Sequence, residues 1–323
     1  SQKYVDMKNI IITSAGKRVA LTRCFSETLS VLYPNAKVFT TDMNPKMAPA
    51  GYVSDKCFKV PRVTDAAYTL KLLEICIENE VEMIVPTIDT ELLILATNRE
   101  MFDKNGIDVI VSDLPFVTMC RDKRNTGDFF IKHHIRIPKP IDKNHPEFPL
   151  FAKPYDGSLS TDLHYIKTAD ELTAEIIDNP KLLFMEYIDK SRYKEYTVDM
   201  YYGRDNRLKE LVPRERIEIR AGEINKGRTS KNYIVGFLKE RLDFIRGCVG
   251  CICLQLFYNE KDHDIVGIEI NPRFGGGYPQ SYAAGANYPK FLIEEYFLDK
   301  ELTYTDDLKD NLIMLRYDDA IFV

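Results

Sequence analysis

The stretch that decides the fold is GIEINPRFGGG, residues 267–277. The isoleucine and valine side chains of residues 265–271 favour extended backbone, so this segment is predicted to be a strand. Side chains alternate faces along a strand, so Glu269 and Asn271 project to the same side, roughly 6–7 Å apart. Pro272 then ends the ladder, and the three glycines that follow suit a turn or the close approach of a ligand.

Oxygen-bearing side chains beside an arginine at one strand end indicate a cation site next to an anion clamp. The Glu269 carboxylate and the Asn271 amide supply oxygens of the kind that Mg²⁺ takes, usually together with substrate phosphates. Arg273 presents a planar fork of donors that matches a phosphate or a carboxylate. The sequence therefore predicts a site for a metal and an anionic substrate at this point.

A second apolar strand is predicted over residues 251–258, and Gln255 is its one polar side chain. If the following hairpin pairs Tyr258 with Val266, Gln255 faces Glu269. Burying an amide without a partner costs about 1–3 kcal/mol, so Gln255 needs a partner, and a metal at Glu269 would supply one. A structural hydrogen-bonded pair beside the glycine turn is the alternative that these residues leave open.

The composition is that of an ordinary globular protein, with 323 residues, 45% hydrophobic and 29% charged. This length gives room for roughly two domains. The net charge of −5 argues against a general binder of nucleic acid or of anionic membranes. No apolar run approaches the ~18 residues of a membrane span, and the first residues lack a signal pattern. We therefore expect a cytoplasmic protein whose partners include neither nucleic acid nor a membrane.

The seven cysteines, an odd number, are expected to be thiols rather than disulfides. Cys248, Cys251 and Cys253 have a spacing like that of metal ligands. However, their neighbours are apolar, and neither a histidine nor a second cysteine pair of matching spacing accompanies them. Packing as small hydrophobic side chains is the favoured interpretation.

The first third of the chain alternates strands with helices, which predicts a parallel, doubly wound sheet. The predicted strands cover residues 9–13, 36–40, 83–86 and 109–111. The turn SAGKR, residues 14–18, lacks the glycines of a P-loop and of the dinucleotide fingerprint. A plain strand-to-helix turn is favoured there, and a nicotinamide oxidoreductase is disfavoured for the same reason.

Charged residues stand at the ends of strands in the second part of the chain. Lys153 ends an apolar strand before a Gly-Ser turn, where a lysine and turn amides suit a phosphate. A surface lysine with a buried stem would have the same pattern. Glu186 and Glu195 stand at the junctions of the next two strands, where solvated strand ends are the alternative.

Three arginines, Arg214, Arg216 and Arg220, recur at even spacing and would share one face of a strand. Three like charges repel each other unless an anion or carboxylates lie opposite. An anion-binding face is favoured over a plain charged edge.

In this order, the motifs resemble the ATP-grasp superfamily, and most of all its carbamoyl-phosphate-synthase-like group of carboxylate–amine ligases. The resemblance runs from PTIDTEL, residues 86–92, to the glycine run. It implies an α/β and α+β fold in which a Rossmann-like pre-ATP-grasp domain, residues 1–114, precedes a two-lobed ATP-grasp domain, residues 115–323. A mobile lid lobe is implied at about residues 148–190. Because only one ATP-grasp unit is present, the complete carbamoyl-phosphate reaction is not expected.

The resemblance also implies a nucleotide site. Lys123 and Lys153 would contact the phosphates of ATP. The residues that would surround the rest of the nucleotide are Gly157 and Ser158 in the lid, Glu186, Tyr187 and Ile188 at the adenine, Glu195 at the ribose, and Gln255.

A metal and substrate site is implied beside it. Gln255, Glu269 and Asn271 would hold one or two Mg²⁺ ions, with Mn²⁺ as an alternative ion. Arg273, Lys153 and Asn271 would act in catalysis. The residues implied or expected to meet the substrate are Arg214, Arg216, Arg273, Gly276 and Tyr278.

The implied activity is ATP-dependent activation of a small carboxylate as an acyl phosphate, which an amine then attacks. An enzyme that phosphorylates carbamate or bicarbonate, and an ATP-binding regulatory module with weakened catalysis, are the alternatives. The lid has fewer glycines than is usual in the family, with Leu159 and Asp162 among its residues, which favours the regulatory module. The intact metal and arginine motifs argue against it. Residue types do not identify the substrates, and a homodimer stays open.

Overall fold

A computed structural model of the protein describes residues 8–157 and 161–323. Ser158 and Leu159, both predicted to lie in the lid, are therefore outside the described residues. Within those two ranges the chain forms three β-sheets with helices packed around them. None of the described helices combines the length and apolar character needed to cross a bilayer.

The first sheet is parallel and is formed by the N-terminal part of the chain. Its strands are β1 Asn9–Thr13, β2 Val38–Asp42, β3 Lys56–Lys59, β4 Val81–Pro86 and β5 Asp108–Val109. They lie in the order β3-β2-β1-β4-β5. The helices beside them are α1 Val19–Leu32, α2 Pro49–Val53, α3 Tyr68–Glu78, α4 Asp89–Thr97 and α5 Arg99–Asp103.

Helices cover both faces of this sheet because its apolar side chains alternate sides. Ile10 and Ile12 pack in one cluster with Phe25 of α1, whereas Ile11 packs in another with Leu72 of α3. The predicted doubly wound parallel sheet is confirmed. The helical segment after β4 is divided at Asn98 into α4 and α5.

A three-stranded antiparallel sheet follows, in the order β7-β6-β8. Its strands are β6 Leu150–Pro154, β7 His164–Ile166 and β8 Leu182–Glu186, with the short helix α8 Ala174–Ile177. Two helices precede it along the chain, α6 Leu114–Arg121 and α7 Lys123–Lys132. We call this sheet with α8 the small lobe.

The third sheet has six antiparallel strands in the order β13-β12-β9-β10-β11-β14. The strands are β9 Lys194–Tyr202, β10 Leu208–Arg220, β11 Glu223–Thr229, β12 Gly250–Asn259, β13 Asp264–Asn271 and β14 Ile313–Leu315. The helices of this part are α9 Tyr233–Arg241, α10 Tyr278–Ala283 and α11 Tyr288–Tyr296.

The two faces of the six-stranded sheet differ in chemistry. On one face, side chains such as Tyr196, Leu254 and Ile270 pack in a core that includes Phe130 of α7 and Leu238 of α9. The alternate residues of the same strands point the other way: some, such as Glu195 and Gln255, are polar, whereas Tyr201 and Cys251 pack toward the parallel sheet. The sheet thus buries one face and leaves part of the other to build a site.

One apolar cluster joins the parallel sheet to the six-stranded sheet. It includes Ile12 and Phe25 from the first, and Tyr201 and Phe274 from the second part. The rings of Phe25 and Phe274 meet edge to face with centroids 5.6 Å apart. The domain boundary predicted at residue 114 stays a prediction, because the core is continuous across it.

We predict that Glu210→Gln stabilises the protein, increasingly so at higher pH. Glu210 is 2% exposed, and its Oε1 has no hydrogen-bond partner in the described structure. Burial, with Asp307 and Asp306 nearby, raises the pKa of this carboxyl to about 8. A glutamate of the unfolded chain titrates near ~4.3, so wild-type stability is lost as the pH rises between these two values. The gain should approach a few kcal/mol at about pH 8 in urea unfolding.

Glu218→Gln is the control, because this exposed carboxylate lies on the same strand, and Asn225 and Lys226 lower its pKa. Its stability relative to wild type should not improve as the pH rises. A Glu210→Gln gain that is the same at low and high pH would contradict the assignment.

Candidate active site

The predicted metal ligands lie on the polar face where β12 pairs with β13. Gln255 pairs directly with Glu269, as predicted. Tyr258, however, pairs with Ile265 and not with Val266, so that part of the predicted register is wrong by one residue. The reason is a β-bulge, in which Ile268 is an extra residue on β13.

The bulge changes which side chains face the site. Without it, Ile268 and Glu269 would point to opposite faces of the sheet. Both instead line the same cavity, because a bulge re-aims the side chains beside it. An apolar contact surface and a carboxylate thus come from adjacent residues.

The oxygen atoms of the predicted metal ligands are not used by the fold. Within residues 8–157 and 161–323, the side chains of Gln255 and Asn271 make no hydrogen bond. The nearest cation to Glu269 is Lys123, whose Nζ lies 3.7 Å from Oε2, and 21% of the Glu269 side chain is exposed. One carboxylate and two amides therefore offer free oxygens at this point.

Lys123 is held at the site by both its main chain and its side chain. Asp122 caps α7 by accepting a hydrogen bond from the Arg124 amide, which makes Lys123 the first residue of the helix. The Lys123 amide donates to the oxygen of Tyr155, 2.7 Å away, and its Nζ donates to the oxygen of Gly157, 2.9 Å away. The small lobe is therefore tied to the N-terminus of α7.

Lys153, the next-to-last residue of β6, lines the same cavity as Lys123. Burial, with a further contribution from Lys123, lowers the pKa of its amine to about 8, although Glu269 opposes this shift. The two lysines are thus close enough to repel, and an anion between them would relieve that repulsion.

A cavity of about 530 Å³ lies between the small lobe and the polar face of the six-stranded sheet. Its polar end contains Lys123, Lys153 and Glu269. Its other walls are largely apolar, and they include Phe151, Met185, Ile188, Leu256, Phe257 and Ile268. A flat apolar group with an anionic tail would match this distribution.

The two carboxylates predicted at adenine and ribose both line this cavity, and both already have partners. Glu186 accepts from Arg136 and from the Lys139 amide, 2.7 Å away. Glu195 accepts from Arg216, 2.8 Å away. Their roles toward a nucleotide stay predictions. Tyr187 and Ile188 also line the cavity.

The arginines of β10 do not form the shared anion-binding face that their spacing predicts. Arg214 is buried in a salt bridge with Asp199, with Nε 2.7 Å from Oδ2. Arg216 is paired with Glu195, and Arg220 is exposed beyond register shifts around Glu218. Carboxylates of β9 thus compensate both Arg214 and Arg216.

The glycine run packs against Arg214, and this explains part of the motif. A Cβ atom on Gly277 would lie 2.1 Å from Nη1 of Arg214, so only glycine fits there. A Cβ on Gly276 would come no closer than 3.7 Å to another side chain. Tyr278 is fully buried and donates to the Ala286 oxygen, 2.7 Å away. These contacts give no support to its predicted role at the substrate.

Two residues of the parallel sheet reach this site and were not predicted there. Arg18, in the turn after β1, donates to the carbonyl oxygen of Phe274, 2.7 Å away. Asp89, at the start of α4, accepts from Arg273, with Oδ2 3.2 Å from Nη2. The signal in the sequence was that both follow strands of a parallel sheet, whose carboxyl ends share one edge.

The cysteines behave as the composition suggested. All seven are free thiols, and Cys248, Cys251 and Cys253 are buried. Burial raises the pKa of Cys248 and Cys251 well above that of a reactive thiol. Packing is thus their observed role.

We predict that Arg214→Met destabilises the protein by about 3–5 kcal/mol, because it leaves Asp199 buried and without its countercharge. Urea unfolding would measure the loss. Arg220→Met is the control, since that side chain is 71% exposed and lies 3.7 Å from Asp318; it should change stability little. Equal effects of the two substitutions would contradict the structural role of Arg214.

Known families match two separate parts of the chain. The family described as "PylC-like, N-terminal domain" matches residues 10–110. The family described as "ATP-grasp in the biosynthetic pathway with Ter operon" matches residues 178–317. No curated protein matches the sequence.

Solved structures share the fold at low sequence identity. The biotin carboxylase domain of 2-oxoglutarate carboxylase from Hydrogenobacter thermophilus, solved with MgADP, ADP and bicarbonate, has 13% identity and a TM-score of 0.70. The match covers 95% of this chain and 73% of that one. N5-carboxyaminoimidazole synthetase from Staphylococcus aureus, complexed with ADP, has 14% identity and a TM-score of 0.70, covering 94% and 81%.

An L-amino acid ligase from Bacillus licheniformis is similar too, with 15% identity, a TM-score of 0.66 and coverage of 90% and 74%. These likenesses confirm the mixed fold, with a parallel sheet followed by antiparallel sheets. A PylC-like N-terminal domain and an ATP-grasp region are thus matched in the predicted order, over residues 10–110 and 178–317.

Proposed function

We propose that the protein is an ADP-forming ligase that activates a small carboxylate as an acyl phosphate and joins it to an amine. One observation carries this proposal. Lys123, Lys153 and the free oxygens of Gln255 and Glu269 line one largely apolar cavity, and Asn271 lines a small second cavity together with Lys123 and Glu269. The two solved relatives with ADP in their descriptions have the same fold.

The cavity suits ATP in one orientation. Adenine would lie between the apolar side chains of the small lobe and those of β12 and β13, near Met185 and Ile188. The phosphates would then point to Lys123 and Lys153, where positive charge is available. Glu195, which lines the same cavity, would accept hydrogen bonds from the ribose hydroxyls.

The residues present also fit a hard divalent cation. No group of three or more acidic, histidine or cysteine side chains suited to a metal occurs in the described ranges. Gln255, Glu269 and Asn271 instead offer one carboxylate and two amide oxygens, and Mg²⁺ commonly completes such a set with substrate phosphates and water. When bound, Mg²⁺ would neutralise charge on the phosphates.

The chemistry of the first step is positioning and charge neutralisation. A carboxylate resists attack by an amine because it is anionic and lacks a leaving group. Its oxygen attacks the γ-phosphorus of ATP, the bond to the β-phosphate oxygen breaks, and ADP leaves. Lys123 and Lys153 would hold the transferring phosphoryl group, while Arg273 would hold the carboxylate in line with it.

In the second step the amine attacks the acyl carbon and inorganic phosphate leaves with its bonding electrons. Asp89 orients the guanidinium of Arg273 through a salt bridge. The positive charge of Arg273 can therefore stabilise the phosphate as it departs. The proton that the amine loses can pass to the departing phosphate or to water. Excluding water from the acyl phosphate would be the task of the small lobe.

We predict that wild-type protein releases ADP from Mg-ATP only when both a carboxylate and an amine are supplied, and that Glu269→Gln abolishes this release. Losing the carboxylate removes the one charged metal ligand of the site. The assay measures ADP release with amino acids, dipeptides, simple carboxylates and bicarbonate. The circular dichroism spectrum of the variant should match that of wild type, because the side chain of Glu269 makes no hydrogen bond with another described residue.

Glu301→Gln is the matched control, since this glutamate is exposed and lies outside the cavity; it should keep full activity. Wild-type turnover in Glu269→Gln would refute the metal assignment. ADP release with bicarbonate alone would move the function to carbamate-type chemistry. ADP binding without turnover on any substrate would favour the regulatory module.

We predict that Lys153→Met weakens the binding of Mg-ADP about tenfold or more, because a charge-assisted contact to phosphate is lost. Isothermal titration calorimetry measures the dissociation constant. Lys181→Met, at an exposed lysine of the same lobe that lies 3.8 Å from Asp156, should bind as wild type does. Unchanged affinity in Lys153→Met would show that the phosphates lie elsewhere.

A further inference from the structure

Arg18 and Arg273 meet at one carbonyl group, although they come from different sheets. Nη2 of Arg18 donates to the oxygen of Phe274 at 2.7 Å and to that of Thr87 at 3.2 Å. Nη1 of Arg273 also contacts the oxygen of Phe274, at 3.5 Å. Two guanidinium groups are therefore held side by side.

The positive charge at this point is only partly compensated. Asp89 forms a salt bridge with Arg273, whereas Arg18 forms none with any residue in the described ranges. Among the described residues, the guanidinium of Arg18 contacts only carbonyl oxygens. The negative charge of Glu223 acts on it from a greater distance. Burial and the neighbouring Arg273 lower the pKa of Arg18 to about 10, so its charge persists at neutral pH. A bound anion would relieve this repulsion.

Arg18 keeps donors free for such an anion. It is half-buried, and its Nε and Nη1 have no acceptor among the described residues, while Nη2 is fixed by the two carbonyls. A guanidinium anchored in this way offers a carboxylate one charge-assisted donor at Nε and another at Nη1, on different edges of the group.

The position of Arg18 is one where this type of sheet binds ligands. The strand order reverses between β1 and β4, and ligands of open parallel sheets bind outside the carboxyl ends of the strands at such a point. Arg18 follows β1, and Thr87 and Asp89 follow β4. A small second cavity, of about 20 Å³, is lined by Asp89 together with Lys123 and Glu269, which also line the nucleotide cavity.

We infer that Arg18 binds a carboxylate of the amine substrate, beside Arg273 at the carboxylate that receives the phosphoryl group, so that the amine substrate is an amino acid. The inference rests on the ligase function proposed above. The amine substrate would thus be anchored by its own carboxylate at the edge of the parallel sheet, with its amine directed toward the acyl phosphate.

The test is a thermal-shift titration in saturating Mg-ADP, with free L-amino acids, their carboxamides and inorganic phosphate as probes. It compares wild type with Arg18→Gln, which keeps a donor for the carbonyls but loses the charge. The melting temperature without probes reports whether this variant folds. Lys17→Gln is the matched control, because Lys17 is the exposed neighbour in the same turn.

We expect one or more free amino acids to raise the Tm of wild type and of Lys17→Gln, and their carboxamides to have no effect. Arg18→Gln should bind those amino acids about tenfold more weakly or worse, with its response to Mg-ADP intact. Equal amino acid binding by Arg18→Gln, a response to phosphate only, or no response to any amino acid would overturn the inference. Failure of Mg-ADP itself to stabilise wild type would instead refute the proposed function.

Discussion

The antiparallel pairing of β12 with β13 is the constraint on which the site depends. It sets Gln255 opposite Glu269 and Cys253 opposite Asn271, so the polar side chains fall on one face and the core on the other. The bulge at Ile268 then adds an apolar residue to the polar face. A slip of one residue in this register would bury Glu269 and turn Ile270 to the site. The chemistry of the site is thus a consequence of strand geometry.

The site is completed by a parallel sheet that contributes no part of the nucleotide cavity. The shared apolar cluster, with Phe25 against Phe274, fixes the end of β13 over the edge where β1 and β4 terminate. Arg18 and Asp89 then meet Arg273 without any flexible connection between them. On the other side, hydrogen bonds from Lys123 to the small lobe connect α7 to the cavity entrance. Nucleotide and acceptor would therefore approach the same strand end from opposite sides.

The periodicity of apolar side chains along short segments predicted the strands and helices that depend on it. The parallel sheet, the β12–β13 hairpin and the pairing of Gln255 with Glu269 followed from alternation and from one polar residue in an apolar strand. The bulge could not be predicted, because a single extra residue leaves the hydrophobic pattern nearly unchanged. Arg18 was missed because its partner Phe274 lies 256 residues later, and no local pattern encodes that contact. Arg214 was expected on an anion-binding face, but Asp199 compensates its charge and allows it to be buried.

The central claim is that the cavity between the small lobe and the six-stranded sheet holds a nucleotide with its phosphates at the two lysines. A crystal structure of the whole chain with Mg-ADP would test this most directly. The account predicts adenine beside Met185 and Ile188, phosphates within hydrogen-bonding distance of Lys123 and Lys153, and a metal ion on Glu269. Density for ADP at another surface, or an empty cavity at saturating nucleotide, would contradict it.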